Sequence, residues 1–445
     1  MNPGNLLIIM TRHPTPGKAK TRLIPLLGEE GAARFHRQSV RHTLSVMASS
    51  PENPDLSIEI RCEGASPKTM CRIFGGPASY APQCEGDLGT RLLDALKQAM
   101  DRGHQRIVII GTDCPDLDKR LVADAFSSLD THDLVLGPSV DGGYYLIGLK
   151  NPHRELFENI PWGGDRVFST TMQKAGILGL TLAVLPSLRD IDTPDDLALW
   201  ARERAASSSA TPALSVIIPT LNEEAHLAAT MASALGTHNV EIIVSDGGSR
   251  DRTVTIATCL GARIAVSHPS RGIQLNAGAR MARGDTLLFL HADTLLPHGY
   301  LDGVQTLLET PGTSLGAFGL KVDSLRPALR LVEWGVGLRS RFLGLPYGDQ
   351  GLFMKHDLFD ANDGFPEWPS MEDFDLVQRL RKLGSVRISP LKVLTSARKW
   401  EALGVGRTTL LHQGMILRHL FIGRRQEDAA LPAINNAATS GAQEV

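Results

Sequence analysis

The stretch LLFLHADTLLP, residues 287–297, runs four apolar residues into His291, Ala292 and Asp293 and then resumes as an apolar segment ending in proline. Such a run reads as a buried strand, and a buried strand has no internal use for a terminal carboxylate. The chain does nearly the same thing in IVIIGTDCPDL, residues 107–117, where four apolar residues lead to Asp113. In open α/β sheets ligands sit beyond the carboxyl ends of the strands, so an acid there is aimed at a site. The competing reading is an aspartate closing an Asx turn, the commoner role of any single strand-end Asp. Several converging acids separate the two readings; one does not.

Outward from these two stretches, each half alternates strands and helices. In the first half strands are expected at 6–10, 56–62, 106–111, 133–138 and 144–149, with helices near 29–48, 88–102 and 119–129. In the second half strands are expected at 214–220, 240–246, 262–268 and 285–293, with helices near 223–235, 251–260 and 271–283. Strands apolar on both faces, separated by helix-length segments, specify an α/β fold with mainly parallel sheets. The one mid-chain composition break, ARERAASSSATPA at 201–213, reads as a flexible connector that lets two domains move. The expected division is a domain at 1–202, a linker at 203–213, a second domain at 214–427, and a disordered tail at 428–445.

At 445 residues the chain exceeds what one core supports. Its 42% hydrophobic and 21% charged residues suit an ordinary globular protein, and a net charge of −2 gives no electrostatic reason to expect nucleic acid as a partner. No apolar run approaches the roughly 20 residues that span a bilayer, and the short LLIIM at 6–10 does not read as a signal peptide. Five scattered cysteines without zinc-ligand spacing suit a reducing cytoplasm. Cys114, beside Asp113, reads as a small buried hydrophobe. The segment 410–425, LLHQGMILRHLFIGRR, is either a helix packed on its domain or a helix lying on an anionic membrane surface.

In the second half, VIIPTLNEE places Pro219, Asn222 and Glu223 after the first strand, and EIIVSDGGSRDRT ends the second strand at Asp246, with a helix start expected at Ser249. Asp246 alone could cap that turn. Together with Asp293, three adjacent strands would bring these acids to one crevice. SMEDFDLVQRL adds Glu372 and Asp373 at the start of an amphipathic helix, where acid enrichment of a first turn is the bland alternative. GTSLG at 312–316 matches the G-x-S-x-G elbow by chance, because strand-like AFGLKV follows it where a helix is required.

With SRGIQLNAGARMARGDTLLFLHADT, GDQGLF and GFPEWPSMEDFDLVQRLRKLG, these motifs make residues 215–390 resemble glycosyltransferase family 2, inverting enzymes with a GT-A fold. The nearest likeness is to the transferase 2 group of radical-SAM/selenium-domain gene neighbourhoods, linked to arsenosugar biosynthesis. The resemblance implies a nucleotide-diphosphate sugar donor and a small-molecule acceptor. It implies Asp373 as general base with Glu372 beside it. Pro219, Asn222 and Glu223 would line the nucleotide pocket, Asp246 would contact base or ribose, and Arg271 would lie near the diphosphate. Asp293 takes the place of the last acid of an Asp-x-Asp metal motif. His291 departs from that motif: it is either a ligand, which suits Mn²⁺ better than Mg²⁺, or a hydrogen-bonding group behind the ligands.

In the first half Arg12, Lys18, Lys20 and Arg22 crowd an eleven-residue loop that two prolines and a glycine keep irregular. Such a loop is either solvated or a polyphosphate cradle. With GDLGTRL, GTDCPDL, SVDGGYYLIGL, PWGGDRVFSTT and RDIDTPDDL, this half resembles the transferase 1 group of the same neighbourhoods. More distantly it is similar to phospholactate and molybdenum-cofactor guanylyltransferases. The resemblance implies a nucleoside triphosphate substrate, Asp113 and Asp192 on a divalent cation (Mn²⁺ or Mg²⁺), Lys20 and Arg22 on phosphates, and Asp141 and Gly142 shaping the sugar or base site. Asp192 could equally be the N-cap of the helix that DTPDDL begins. Three readings follow: a bifunctional sugar-nucleotide enzyme, a glycosyltransferase whose first domain binds nucleotide without catalysis, or a membrane-peripheral glycosyltransferase acting on a lipid acceptor.

Overall fold

The computed structural model describes residues 4–48, 56–76, 78–206, 212–235, 239–368 and 371–404. Residues 207–211 of the connector, the segment 410–425 and the tail 428–445 lie outside the described residues. Strands β1 (Leu6–Arg12), β2 (Ser57–Glu63), β3 (Ser79–Pro82), β4 (Ile107–Ile110), β5 (Leu134–Pro138), β6 (Tyr144–Leu149) and β7 (Leu182–Val184) form one sheet, ordered β3-β2-β1-β4-β6-β5-β7. Strands β8 (Leu214–Thr220), β9 (Val240–Asp246), β10 (Arg263–Val266), β11 (Thr286–Phe289), β12 (Thr294–Leu295), β13 (Thr313–Asp323), β14 (Leu352–Lys355) and β15 (Ser385–Ser396) form the second, ordered β10-β9-β8-β11-β14-β13-β15-β12.

Both sheets are mixed and mostly parallel, as expected. The first four strands of each run parallel, and β6 and β14 run antiparallel to both neighbours. Setting β12 aside, the strand orders coincide: β8, β9, β10, β11, β13, β14 and β15 take the places of β1 to β7. Asp113, three residues past β4, and Asp293, four past β11, therefore leave topologically equivalent strands. The strands missed in the sequence are short, like β3 and β7, or polar-interrupted, like β15. The motif SRGIQLNAGA has a packing explanation. It forms the helix Arg271–Met281, where Gln274 donates to the carbonyls of Thr220 and Ser245 at 2.8 and 2.9 Å, tying the helix to the ends of β8 and β9. A Cβ on Gly278 would sit 2.4 Å from Ile217 Cγ2, so only glycine lets that helix lie so close to the sheet.

The mobility expected of the connector meets a counterforce in the packing. Leu23, Leu27, Phe35, Leu197 and Trp200 of the first half share one core with Leu227, Met231, Leu235 and Ile256 of the second. Helix Ile24–Ala48 lies along helix Leu227–Leu235. Around this apolar seam Asp323 receives Arg37 at 2.6 Å and Arg41 at 3.2 Å, and Arg252 donates to the Pro25 carbonyl at 3.0 Å. Burial of this kind joins the halves into one cooperative unit. Fluorescence and far-UV dichroism should therefore report one coincident urea transition. Met231→Ala should lower its free energy by about 2–5 kcal/mol. Two separated transitions would show that the halves fold independently.

Candidate active site

In the N-terminal sheet the loop after β1 folds back so that Lys20, in a left-handed conformation, turns its side chain inward. Its ammonium lies 2.7 Å from Asp113 Oδ1 and 2.8 Å from Asp192 Oδ1, and also donates to the Ile191 carbonyl. Only 5% of the Lys20 side chain is exposed, against 45% of Asp113. Burial works against the ammonium, but the two carboxylates outweigh it and raise the Lys20 pKa. Asp192 is not the helix cap: Thr193 and Asp196 form a reciprocal box, with Thr193 N to Asp196 Oδ2 at 2.8 Å and Asp196 N to Thr193 Oγ1 at 3.3 Å. That leaves Asp192 for Lys20, with Arg22 at 3.9 Å.

The other two loop bases do not join. Arg12 pairs with Glu63 at 3.3 Å and Lys18 is exposed. Asp141 accepts from Gly143 N at 2.9 Å and from Ser139 Oγ, shaping the turn before β6. Gly142 is required there, since its φ is +90° and a Cβ would meet the Asp165 carbonyl oxygen at 2.0 Å. Asp190, which the sequence did not single out, is pushed up to about 7 by burial and then by Asp141. Asp113, Asp141, Asp190 and Asp192 thus crowd the carboxyl side of this sheet, with Lys20 the cation buried between Asp113 and Asp192. Cys114 is buried with its thiol pKa pushed well up, mainly by burial, as a structural cysteine should be.

The C-terminal sheet assembles a denser cluster. Arg398, just past β15, binds both oxygens of Glu223 at 2.9 and 2.5 Å and Asp293 Oδ2 at 3.1 Å. Asp373 Oδ2 accepts from Gly348 N at 2.6 Å, and its Oδ1 from Phe374 N at 2.8 Å. A Cβ on Gly348 would fall 3.0 Å from His291 Nε2 and 3.2 Å from Asp373 Oδ2, so the backbone passes close to where these two side chains meet. Arg271 reaches the buried Glu372 at 3.4 Å. Asp349 Oδ1 is buried without a hydrogen-bond partner, and burial, with repulsion from Asp373 and Asp293, pushes its carboxyl up. Desolvation and the neighbouring Arg271, Lys399 and Arg398 hold His291 well below its ordinary pKa, so its imidazole is neutral. Burial and Arg271 likewise lower Lys399.

Asp246 stands apart. It is 3% exposed, and its carboxylate is filled by Gly248 N and Ser249 N, each at 2.8 Å, and by the hydroxyls of Ser249 and Thr220 at 2.5 and 3.1 Å. It holds the turn after β9. The expected helix start at Ser249 moves to Thr253, because Ser249 serves this turn and also receives Asn222 N at 2.9 Å. Pro219 is half-buried at the end of β8; Asn222, with positive φ, accepts from Arg250 N at 2.9 Å. Asp349, Arg398 and Lys399 escaped the sequence reading. The only signal was an acid inside GDQG and a basic pair after a long strand. Ser314 lies within β13 and donates to the Leu380 carbonyl at 2.9 Å, consistent with a chance elbow match.

Among the described residues no three His, Cys, Asp or Glu side chains gather closely enough to hold a metal ion by themselves, and no helix is long and apolar enough to cross a membrane.

Comparison with known proteins divides the chain the same way. Residues 46–164 match the family described as an uncharacterized protein conserved in bacteria (DUF2064), and residues 215–342 match glycosyl transferase family 2. A 2-phospho-L-lactate guanylyltransferase from Methanopyrus kandleri is 28% identical over 188 residues, 41% of this chain and 84% of that protein. A PGL/p-HBAD biosynthesis glycosyltransferase from Mycobacterium bovis is 38% identical over 96 residues, 20% of this chain and 38% of that protein. A solved structure from Desulfovibrio desulfuricans, assigned to the nucleotide-diphospho-sugar transferases, is 32% identical with a TM-score of 0.43, covering 46% of this chain and 89% of its own. The chain joins a DUF2064 domain, related to 2-phospho-L-lactate guanylyltransferase, to a glycosyl transferase family 2 domain.

Proposed function

We propose that the C-terminal domain transfers a sugar from a nucleotide diphosphate to an acceptor hydroxyl with inversion at the anomeric carbon. The observation that carries this reading is the meeting of Asp293, Asp349, Glu372 and Asp373 with Arg271, Arg398 and Lys399 beyond the strand ends of a family 2 domain. Asp373 takes the acceptor proton as the acceptor oxygen attacks. The Gly348 amide holds its carboxylate in place meanwhile, and Arg271 keeps Glu372 paired beside it. The anomeric carbon–oxygen bond breaks, and the nucleoside diphosphate leaves with the bonding pair. Arg271 and Lys399 supply positive charge toward it.

The donor set fits a divalent cation. Asp349 carries a buried oxygen without a partner, Asp293 adds a second carboxylate, and neutral His291 a nitrogen. Hard cations of this kind use one or two protein carboxylates and take their other ligands from phosphate and water, which accords with the absence of a three-residue cluster among the described residues. Bound there, the ion would act as a Lewis acid on the departing diphosphate. The neutral imidazole favours Mn²⁺ over Mg²⁺.

For the N-terminal domain we propose nucleotidyl transfer. A phosphate or hydroxyl oxygen attacks the α-phosphorus of a nucleoside triphosphate, the bond to the bridging oxygen breaks, and pyrophosphate leaves. Lys20 and Arg22 would meet the phosphates, with Asp113 and Asp192 holding a cation. The second reading, binding without catalysis, draws on the near-complete pairing of Lys20 by Asp113 and Asp192. The arsenosugar link rests on sequence resemblance alone.

With nucleotide sugars and Mn²⁺ or Mg²⁺, Asp373→Asn should lower transfer by about 10²–10⁴-fold while nucleotide binding persists. Unchanged transfer would remove Asp373 as the base. Asp113→Asn should abolish pyrophosphate release and leave sugar transfer intact, and Asp293→Asn should do the reverse. If wild-type protein releases no pyrophosphate from any nucleoside triphosphate with sugar or alcohol phosphates, the non-catalytic reading of the first domain holds.

A further inference from the structure

Helix Pro327–Leu343, which follows β13, is apolar on two opposite faces. Its inner face is accounted for. Leu329 is fully buried, Val332 and Val336 pack on the core, and Ser340 donates to Gln350 Oε1 at 2.8 Å. On the outer face Leu331, Trp334, Leu338 and Phe342 are 71%, 67%, 45% and 79% exposed. Their spacing of three, four and four residues sets them in one stripe along the helix, and Leu325 and Leu343 extend it at the ends. Contiguous exposed apolar surface of this kind marks an interaction site.

The charges beside the stripe choose the partner. Arg330 and Arg341 follow one flank, with Arg326 at the amino end; Arg339, on the other flank, is turned inward, donating to the Leu345 carbonyl at 2.9 Å and lying over the Tyr347 ring. The helix's one acid, Glu333, is turned inward, accepting Val322 N at 2.6 Å and pairing with Arg330 at 3.0 Å. Leucine, tryptophan and phenylalanine beside the exposed Arg326, Arg330 and Arg341, with no outward carboxylate on the helix, complement an interface whose interior is apolar and whose headgroups are anionic.

We infer that the outer face of helix 327–343 docks the protein on an anionic lipid surface. Leu331, Trp334, Leu338 and Phe342 enter the acyl boundary and the flanking arginines meet headgroup phosphates. The helix runs directly into the loop bearing Gly348 and Asp349, so docking holds that edge of the C-terminal cluster against the lipid. The inference does not depend on the proposed chemistry, because its test reads binding and not transfer.

Full-length protein should co-sediment with vesicles of phosphatidylcholine mixed with phosphatidylglycerol, and far less with phosphatidylcholine alone. Trp334→Ser/Phe342→Ser alters only exposed side chains, so its thermal unfolding should match wild type. It should weaken vesicle binding by roughly tenfold or more, since affinity scales with buried apolar area. Arg341→Glu should weaken binding to the anionic vesicles alone. The inference is overturned if the wild type stays in the supernatant, or if the double variant binds as well as wild type, which would place lipid binding in another segment. It is also overturned if the double variant abolishes a concentration-dependent dimer that binds no lipid, which would make a second copy the occupant.

Discussion

A carboxylate at the end of a buried strand costs several kcal/mol unless a cation meets it, and this chain answers that cost alike in both halves. Lys20 bridges Asp113 and Asp192; Arg398 bridges Asp293 and Glu223. In each case one base ties the acid beyond the fourth strand to an acid on a different loop. These bridges hold the acids gathered at the carboxyl edge. Incoming phosphate and cation would exchange partners with them instead of assembling the cluster from solvent. Preorganisation of this kind lowers the reorganisation that binding and transfer demand.

The shared strand order makes the two halves variations on one scaffold, yet their clusters differ in chemistry. The N-terminal cluster is acid-rich: Asp141 and Asp190 face each other with Asp190 pushed up, and Lys20 lies between Asp113 and Asp192. The C-terminal cluster mixes three bases with five acids and a neutral histidine. The common apolar seam through Leu27, Phe35 and Met231 fixes one half on the other. A connector that looked loose by composition therefore joins domains held by packing.

What could be read in the sequence was what local chemistry dictates. The continuous apolar runs gave the central strands, and the abrupt acids at their ends singled out Asp113 and Asp293. Lys20, Arg22, Glu372 and Asp373 lie in locally distinctive segments and do fall in the two clusters. What could not be read was pairing at long range. Arg398 meets Glu223 across 175 residues. Asp349 matters because a fold-dependent loop buries it, and Asp246, expected at the base or ribose, is also held by its own turn. The antiparallel β6 and β14 are buried apolar segments like their parallel neighbours, so direction left no local mark. The outer stripe of helix 327–343 was likewise invisible until its inner face was known.

The central claim is that the acids beyond β4 and β11 each mark a separate phosphate-and-cation site. Anomalous diffraction from crystals of the full chain grown with Mn²⁺ and a nucleoside diphosphate tests it most directly. The account predicts manganese peaks beside Asp113 and beside Asp293, with Arg398 displaced from Asp293. Manganese or nucleotide bound elsewhere, with both aspartates still on their lysine and arginine, would contradict it.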